Sequence, residues 1–166
     1  MITADQLREL LDYDPETGIF EWRASGRGRR LDRSAGRIGT QGYRVIFVDR
    51  NEQGAHRLAW LYVHGEWPAR EVDHINGVRD DNRIANLRDV SHSENQHNRH
   101  GAPRNNTTGF VGVTYIPEKR KYVAGIKVGG RRRHLGLFKT PEEAHAAYLE
   151  AKKQHHPSWV PLQDNT

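Results

Sequence analysis

Apolar residues are sparse in this chain, 35% of the total against 28% charged, so any core it builds must be thin. With 166 residues of that composition, one medium domain or two small ones can form. Long buried helices are disfavoured, and small α+β units joined by polar connections fit better. No apolar run approaches the roughly 20 residues needed to span a bilayer. The opening Met1-Ile2-Thr3-Ala4-Asp5 lacks the charged-then-apolar pattern of a signal peptide, so no membrane partner is expected. The absence of cysteine excludes disulfides, Cys-based zinc ribbons and thiol catalysis, and it suits a reducing cytoplasm.

Charge is distributed unevenly. The net value is +5, with a pI near 9.7. Residues 1–97 carry 14 Lys and Arg against 16 Asp and Glu, residues 98–139 carry 10 against one, and residues 140–166 carry two against four. The positive stretch is interleaved with aromatics and strand-like alternation, which is the footprint of a surface that meets phosphate. A solvated basic face is the plainer alternative.

Local patterns organise the chain. Thr3-Ala4-Asp5-Gln6 is a capping-box pattern, and Leu7, Leu10 and Leu11 follow at helical spacing. Residues 14–18 read as a turn, 19–22 as a strand, and the Arg-, Gly- and Ser-rich residues 23–37 as a loop. Residues 43–48 form a strand followed by a turn over 49–54. A helix follows from His56 to His64, stopped by Gly65. His100 to Gly109 reads as a polar linker. Beyond it come strands over 110–116, 121–128 and 132–138, with Gly129-Gly130 as a hairpin turn. Thr140-Pro141-Glu142-Glu143 then opens a helix whose Ala144, Ala147, Tyr148 and Ala151 share one face.

The strongest chemical signal lies between these halves. In Glu71-Val72-Asp73-His74-Ile75-Asn76-Gly77 a short strand ends at Asp73-His74. The loop 78–85 leads to Asn86, residues 87–90 form the returning strand, and Ser91-His92-Ser93-Glu94 is a second capping box, opening a helix to about Arg99 that bears Asn95. Hydrolysis of a phosphodiester needs an activated water and stabilisation of charge on the leaving oxygen. A hard cation takes oxygen ligands, which Asp73 and Asn95 provide, and magnesium or manganese suits such a set. His74, with an ordinary pKa of about 6.5, accepts a proton from the attacking water. A backbone carbonyl or the amide oxygen of Asn86 would fix its tautomer. Taken singly, these residues also read as a polar hairpin, a turn asparagine and a surface asparagine; their joint occurrence favours a site. His56, His64, His92, His97 and His100 read as surface or packing residues, with His92 and Asn98 placed to touch phosphate.

Asp73-His74-Ile75-Asn76-Gly77, Asn82-Arg83-Ile84-Ala85-Asn86-Leu87-Arg88 and Ser93-Glu94-Asn95-Gln96 together resemble the HNH ββα-metal nucleases, most closely the phage and intron-encoded homing endonucleases. The resemblance covers about residues 40–100. It implies that His74 is the general base, that Asp73 and Asn95 are metal ligands, and that Asn86 is the middle asparagine bridging the two strands.

Thr108-Gly109-Phe110-Val111-Gly112-Val113, with His134 to Ala144 and Ala147-Tyr148, resembles the APETALA2-type DNA-binding domain. That resemblance implies a three-stranded sheet in the major groove, read out by Arg120, Tyr122, Lys127, Arg131 and Arg133, with Arg132 on the opposite face or at a phosphate.

The expected fold is thus α+β: an N-terminal region and HNH nuclease over residues 1–100, a linker over 101–109, and an antiparallel sheet packed on one helix over 110–166. The expected activity is cleavage of double-stranded DNA by a monomer or homodimer that needs no protein partner, in the cytoplasm of a bacterial host if phage-encoded. A DNA-binding regulator with an inactive scaffold and an RNA-directed nuclease are the alternatives.

Overall fold

The computed structural model describes residues 1–98, 106–157 and 159–161. The chain is mixed α/β, and among the described residues its strands form small antiparallel sheets. It divides into two compact units, Met1–His92 and Ser93–Thr166. This division falls ahead of the expected 101–109 linker, of which residues 101–105 lie outside the described residues, as do Arg99 and His100. Its physical basis lies within the second unit. His97 stacks on His156 with ring centroids 3.7 Å apart, and the Val160 N–H donates to Asn98 Oδ1 at 3.4 Å, tying residues 97–98 to the C-terminal segment.

In the first unit, α1 (Ala4–Leu10) begins with the expected reciprocal cap between Thr3 and Gln6. It stops one residue sooner than the leucine spacing implies. Leu11 instead opens β1 (Leu11–Asp14), which pairs with β2 (Ile19–Trp22) in a hairpin. Leu11, Tyr13, Phe20 and Trp22 all turn inward, so burial with a period of two overrides the helical continuation. The loop over 23–37 closes on itself through a Gly26–Arg29 bridge before Arg37 enters β3 (Arg37–Ile38). β4 (Arg44–Val48) and β5 (Asn51–Gly54) complete a sheet of order β3-β4-β5. The turn expected over 49–54 is really two residues long. Asp49 and Arg50 both have left-handed φ, 48° and 63°, the backbone of a tight hairpin, so residues 51–54 are free to pair with β4.

α2 (Ala55–His64) ends at Gly65, whose φ of 82° lets its N–H reach Leu61 O at 2.9 Å. Leu7, Leu11, Phe20, Ile46, Leu58 and Leu61 are fully buried together and form the centre of this unit. Each contributes on the order of 1.5–3 kcal/mol by leaving water. β6 (Glu71–His74) pairs with β7 (Leu87–Val90), and a 3₁₀ turn at Ile84–Asn86 leads into β7.

The short α3 (His92–His97) carries most of its residues into the second unit. There β8 (Val113–Ile116), β9 (Lys121–Val128) and β10 (Arg131–Phe138) form a sheet of order β10-β9-β8. β8 starts three residues later than expected, because Gly109 and Gly112 adopt φ of 76° and 78° and break the extended run. Gly112 also sits where any Cβ would collide with the Tyr148 ring. α4 (Pro141–His155) opens with the Thr140–Glu143 capping box and packs on the sheet through Ala144, Tyr148 and Ala151. Among the described residues no helix is long and apolar enough to cross a membrane.

Candidate active site

β6 brings Asp73 and His74 side by side, 8% and 4% exposed. Neighbouring residues on a strand point to opposite sides. Asp73 meets Arg88, its cross-strand partner on β7, whose Nε and Nη2 donate to Oδ2 at 3.0 and 2.8 Å. The ring of His74 lies 5.2 Å from that of His56 and 5.7 Å from that of Tyr43.

His74 Nε2 is 3.4 Å from Asn82 Oδ1. The Asn82 amide nitrogen donates to Asp80 O at 3.0 Å, which turns its oxygen toward the imidazole. That arrangement suits the tautomer with a proton on Nε2 and the lone pair on Nδ1. Burial pushes the His74 pKa below its ordinary value, while the contact with Asn82 and the carboxylates of Asp73, Asp81 and Asp80 pull the other way. The neutral imidazole is therefore the form present at neutral pH.

The first hairpin holds this arrangement from beneath. Tyr13 Oη donates to Asn82 O at 2.7 Å, and the Ile84 N–H donates to Pro15 O at 3.3 Å. Gly18, at φ 74°, packs so tightly on the Asn82–Arg83 backbone that a Cβ there would overlap it. Asn82 itself is 1% exposed.

Asn86 accepts the Asn76 N–H at 3.0 Å and donates to Asp81 O at 2.8 Å. Its backbone carbonyl accepts the Ile75 N–H at 2.9 Å. These bonds fasten the residues after β6 to those before β7. The sequence offered the amide oxygen of Asn86 as a tautomer-fixing partner for His74; in the structure that oxygen receives Asn76, and Asn82 faces the imidazole. Sequence reasoning also passed over Tyr43 and put His56 among the packing residues. Nothing local marks either, because β4 and α2 bring them to His74 from elsewhere in the chain.

Asn95 is on α3, half-buried, in the second unit, whereas Asp73, His74 and Asn86 belong to the first. No group of three or more His, Cys, Asp or Glu able to hold a metal ion occurs among the described residues. The donor chemistry at Asp73 still fits a hard cation, which takes carboxylate oxygen, with Arg88 held on Oδ2 of the same carboxylate. Such an ion would complete its shell from amide, phosphate and water oxygens.

The basic residues of the second unit divide between two faces. Tyr122, Ala124, Ile126 and Val128 alternate toward α4, with Tyr122 half-buried and its ring 5.0 Å from that of Tyr115. Cross-strand partners share a face. Arg131 and Arg133 pair with Val128 and Ile126, whereas Arg132 pairs with Lys127 on the face turned away from the helix. The Arg132 guanidinium lies over Gly125 on that outer face. Of the expected readers, Arg131 and Arg133 thus share one face, opposite to Arg132 as expected, whereas Lys127 lies on the Arg132 face. The bulge between His134 and Gly136 shifts the register only beyond these arginines. Arg120 stands in the turn before β9 with a left-handed φ of 50°.

Residues 53–97 match the family model of an HNH endonuclease. The match spans α2, β6, β7 and α3, and so contains Asp73, His74, Asn86 and Asn95; it supports nuclease activity for this region. No curated protein and no solved structure matches the chain.

Proposed function

We propose that the chain is an endonuclease that hydrolyses phosphodiester bonds of duplex DNA with a divalent cation, magnesium or manganese, in the manner of phage or intron-encoded homing nucleases. The observation that carries this reading is the buried Asp73-His74 pair on β6 inside the matched segment, with the imidazole kept neutral and faced by Asn82.

His74 Nδ1 takes a proton from a water whose oxygen attacks phosphorus. The P–O3′ bond breaks, the 3′ oxygen acquires a proton from solvent, and a 5′ phosphate and a 3′ hydroxyl result. By the motif's resemblance to the HNH nucleases, Asp73 and Asn95 would be the residues to hold the cation, which would supply positive charge for the departing 3′ oxygen. Asn86 is a positioning residue that keeps the β6–β7 connection in place. The second unit adds affinity and register, with Lys127 and Arg132 meeting phosphates or base edges from the outer face of its sheet. Tethering the two units makes the second contact intramolecular, so a weak reader still raises occupancy.

Incubating the full chain with supercoiled plasmid and magnesium or manganese tests the reading. Nicked or linear product is expected, abolished by EDTA. DNA binding without any cleavage would identify a regulator built on an inactive scaffold.

A further inference from the structure

Five arginines of the first unit, Arg27, Arg29, Arg30, Arg33 and Arg37, line a single open hollow of about 350 Å³ together with Phe47. None of them takes part in the Asp73–His74 site. Within residues 27–37 Asp32 is the lone carboxylate, although acidic groups outnumber basic ones over residues 1–97 as a whole. Glu52 lines the same hollow, so with Asp32 two carboxylates stand against five arginines, and the surplus of positive charge on one concave wall favours an anion there.

The arginines differ in how they are held. Arg29 lies over the Trp22 ring at 4.7 Å, Arg30 bonds both oxygens of Asp32, and Arg37 pairs with Glu52. The last two pairs are more than half exposed on the arginine side, so their carboxylates are readily exchanged for phosphate oxygens. Arg27 and Arg33 are exposed, and among the described residues neither makes a side-chain hydrogen bond or ion pair. Phe47, on β4 between the buried Ile46 and Val48, leaves 63% of its surface in water at the edge of the same hollow. Forked guanidinium donors beside an exposed aromatic ring match a phosphodiester backbone with its sugars and base edges. A single small anion would use only one or two of the five guanidinium groups.

We infer that this hollow is a second DNA-backbone contact, in which Arg27 and Arg33 neutralise neighbouring phosphates and Phe47 packs against the adjoining sugar or base edge. The inference rests on the reading of duplex DNA as substrate. It places a grip on the nuclease unit itself, separate from the sheet of the second unit.

The test is affinity of the full chain for a short labelled DNA duplex in EDTA, measured across a salt series. Arg27→Gln/Arg33→Gln should flatten the plot of log K against log salt by about 1.8, as two lost phosphate contacts require, and weaken binding about tenfold at moderate salt. Arg27→Lys/Arg33→Lys should keep the slope, and Phe47→Ser should lower affinity without changing it. An unchanged slope in the Gln variant overturns the inference, as does competition by structured RNA that exceeds competition by duplex DNA. Cleavage is scored separately with magnesium. An arginine-dependent slope without cleavage sinks the nuclease reading and leaves this contact standing; cleavage with an arginine-independent slope does the reverse.

Discussion

Arg88 grips Asp73 from the facing strand, both of its donors converging on the single oxygen Oδ2 at 3.0 and 2.8 Å. With the two side chains 22% and 9% exposed, the carboxylate depends on that guanidinium for its charge balance. Arg88→Ala should cost roughly 2–3 kcal/mol in urea unfolding, somewhat below the loss for a fully buried pair. Arg88→Met combined with Asp73→Asn should recover most of that loss, because no unpaired charge remains.

Tyr13 reaches Asn82 from a hairpin nearly 70 residues earlier in the chain. Tyr13→Phe keeps the ring and deletes the hydroxyl, leaving the Asn82 carbonyl without that donor at a cost of about 1–2 kcal/mol. Because Asn82 faces His74, the same substitution should lower kcat more than it raises KM for DNA. Equal activity in Tyr13→Phe and wild type would separate the hairpin from the catalytic arrangement.

His56 predicts a pH response with a definite sign. Burial, and to a smaller degree the neighbouring His74 and Arg57, lowers its pKa from 6.5 to about 3, and its Nδ1 is buried without a hydrogen-bond partner among the described residues. Between those values the unfolded chain binds a proton that the folded chain refuses, so stability falls as pH drops through 6.5 toward 3. The slope from this group is at most about 1.4 kcal/mol per pH unit. His56→Phe should therefore be close to neutral at pH 7 and visibly less acid-sensitive than wild type in urea melts at pH 7 and 5. An unchanged pH slope would contradict the burial of a neutral imidazole there.

The two faces of the second sheet give a comparison within one hairpin. Lys127→Gln/Arg132→Gln, on the outer face, should flatten the salt dependence of DNA binding by about 1.8, whereas Arg131→Gln/Arg133→Gln should change it less. The opposite ranking in a salt titration would place the contact surface at the sheet's edge beside α4.

What the sequence revealed and what it hid follow from the range of the forces involved. The Thr3 and Thr140 caps, the Gly65 stop, the Gly129-Gly130 turn and the adjacency of Asp73 and His74 are set within a few residues, and all were legible. Leu11 was read as helical because its spacing fits, yet pairing with Trp22 takes it into a strand. The partners of His74 come from β4, α2 and a loop braced by the first hairpin, so only packing assembles them. That Lys127 shares a face with Arg132 and not with Arg131 and Arg133 is set by the cross-strand register of the hairpin, which local spacing does not reveal.

The most direct test of the central assignment is strand-resolved cleavage of target-containing genomic DNA by wild-type, His74→Ala and Asp73→Ala chains, with magnesium or manganese present and then chelated. Wild type should leave 5′-phosphate ends only when metal is present. His74→Ala should lose about 10²–10⁴-fold in cleavage rate while binding the same DNA within about twofold. Asp73→Ala should be inactive. Cleavage by His74→Ala at the wild-type rate, or cleavage that survives chelation, would contradict the assignment.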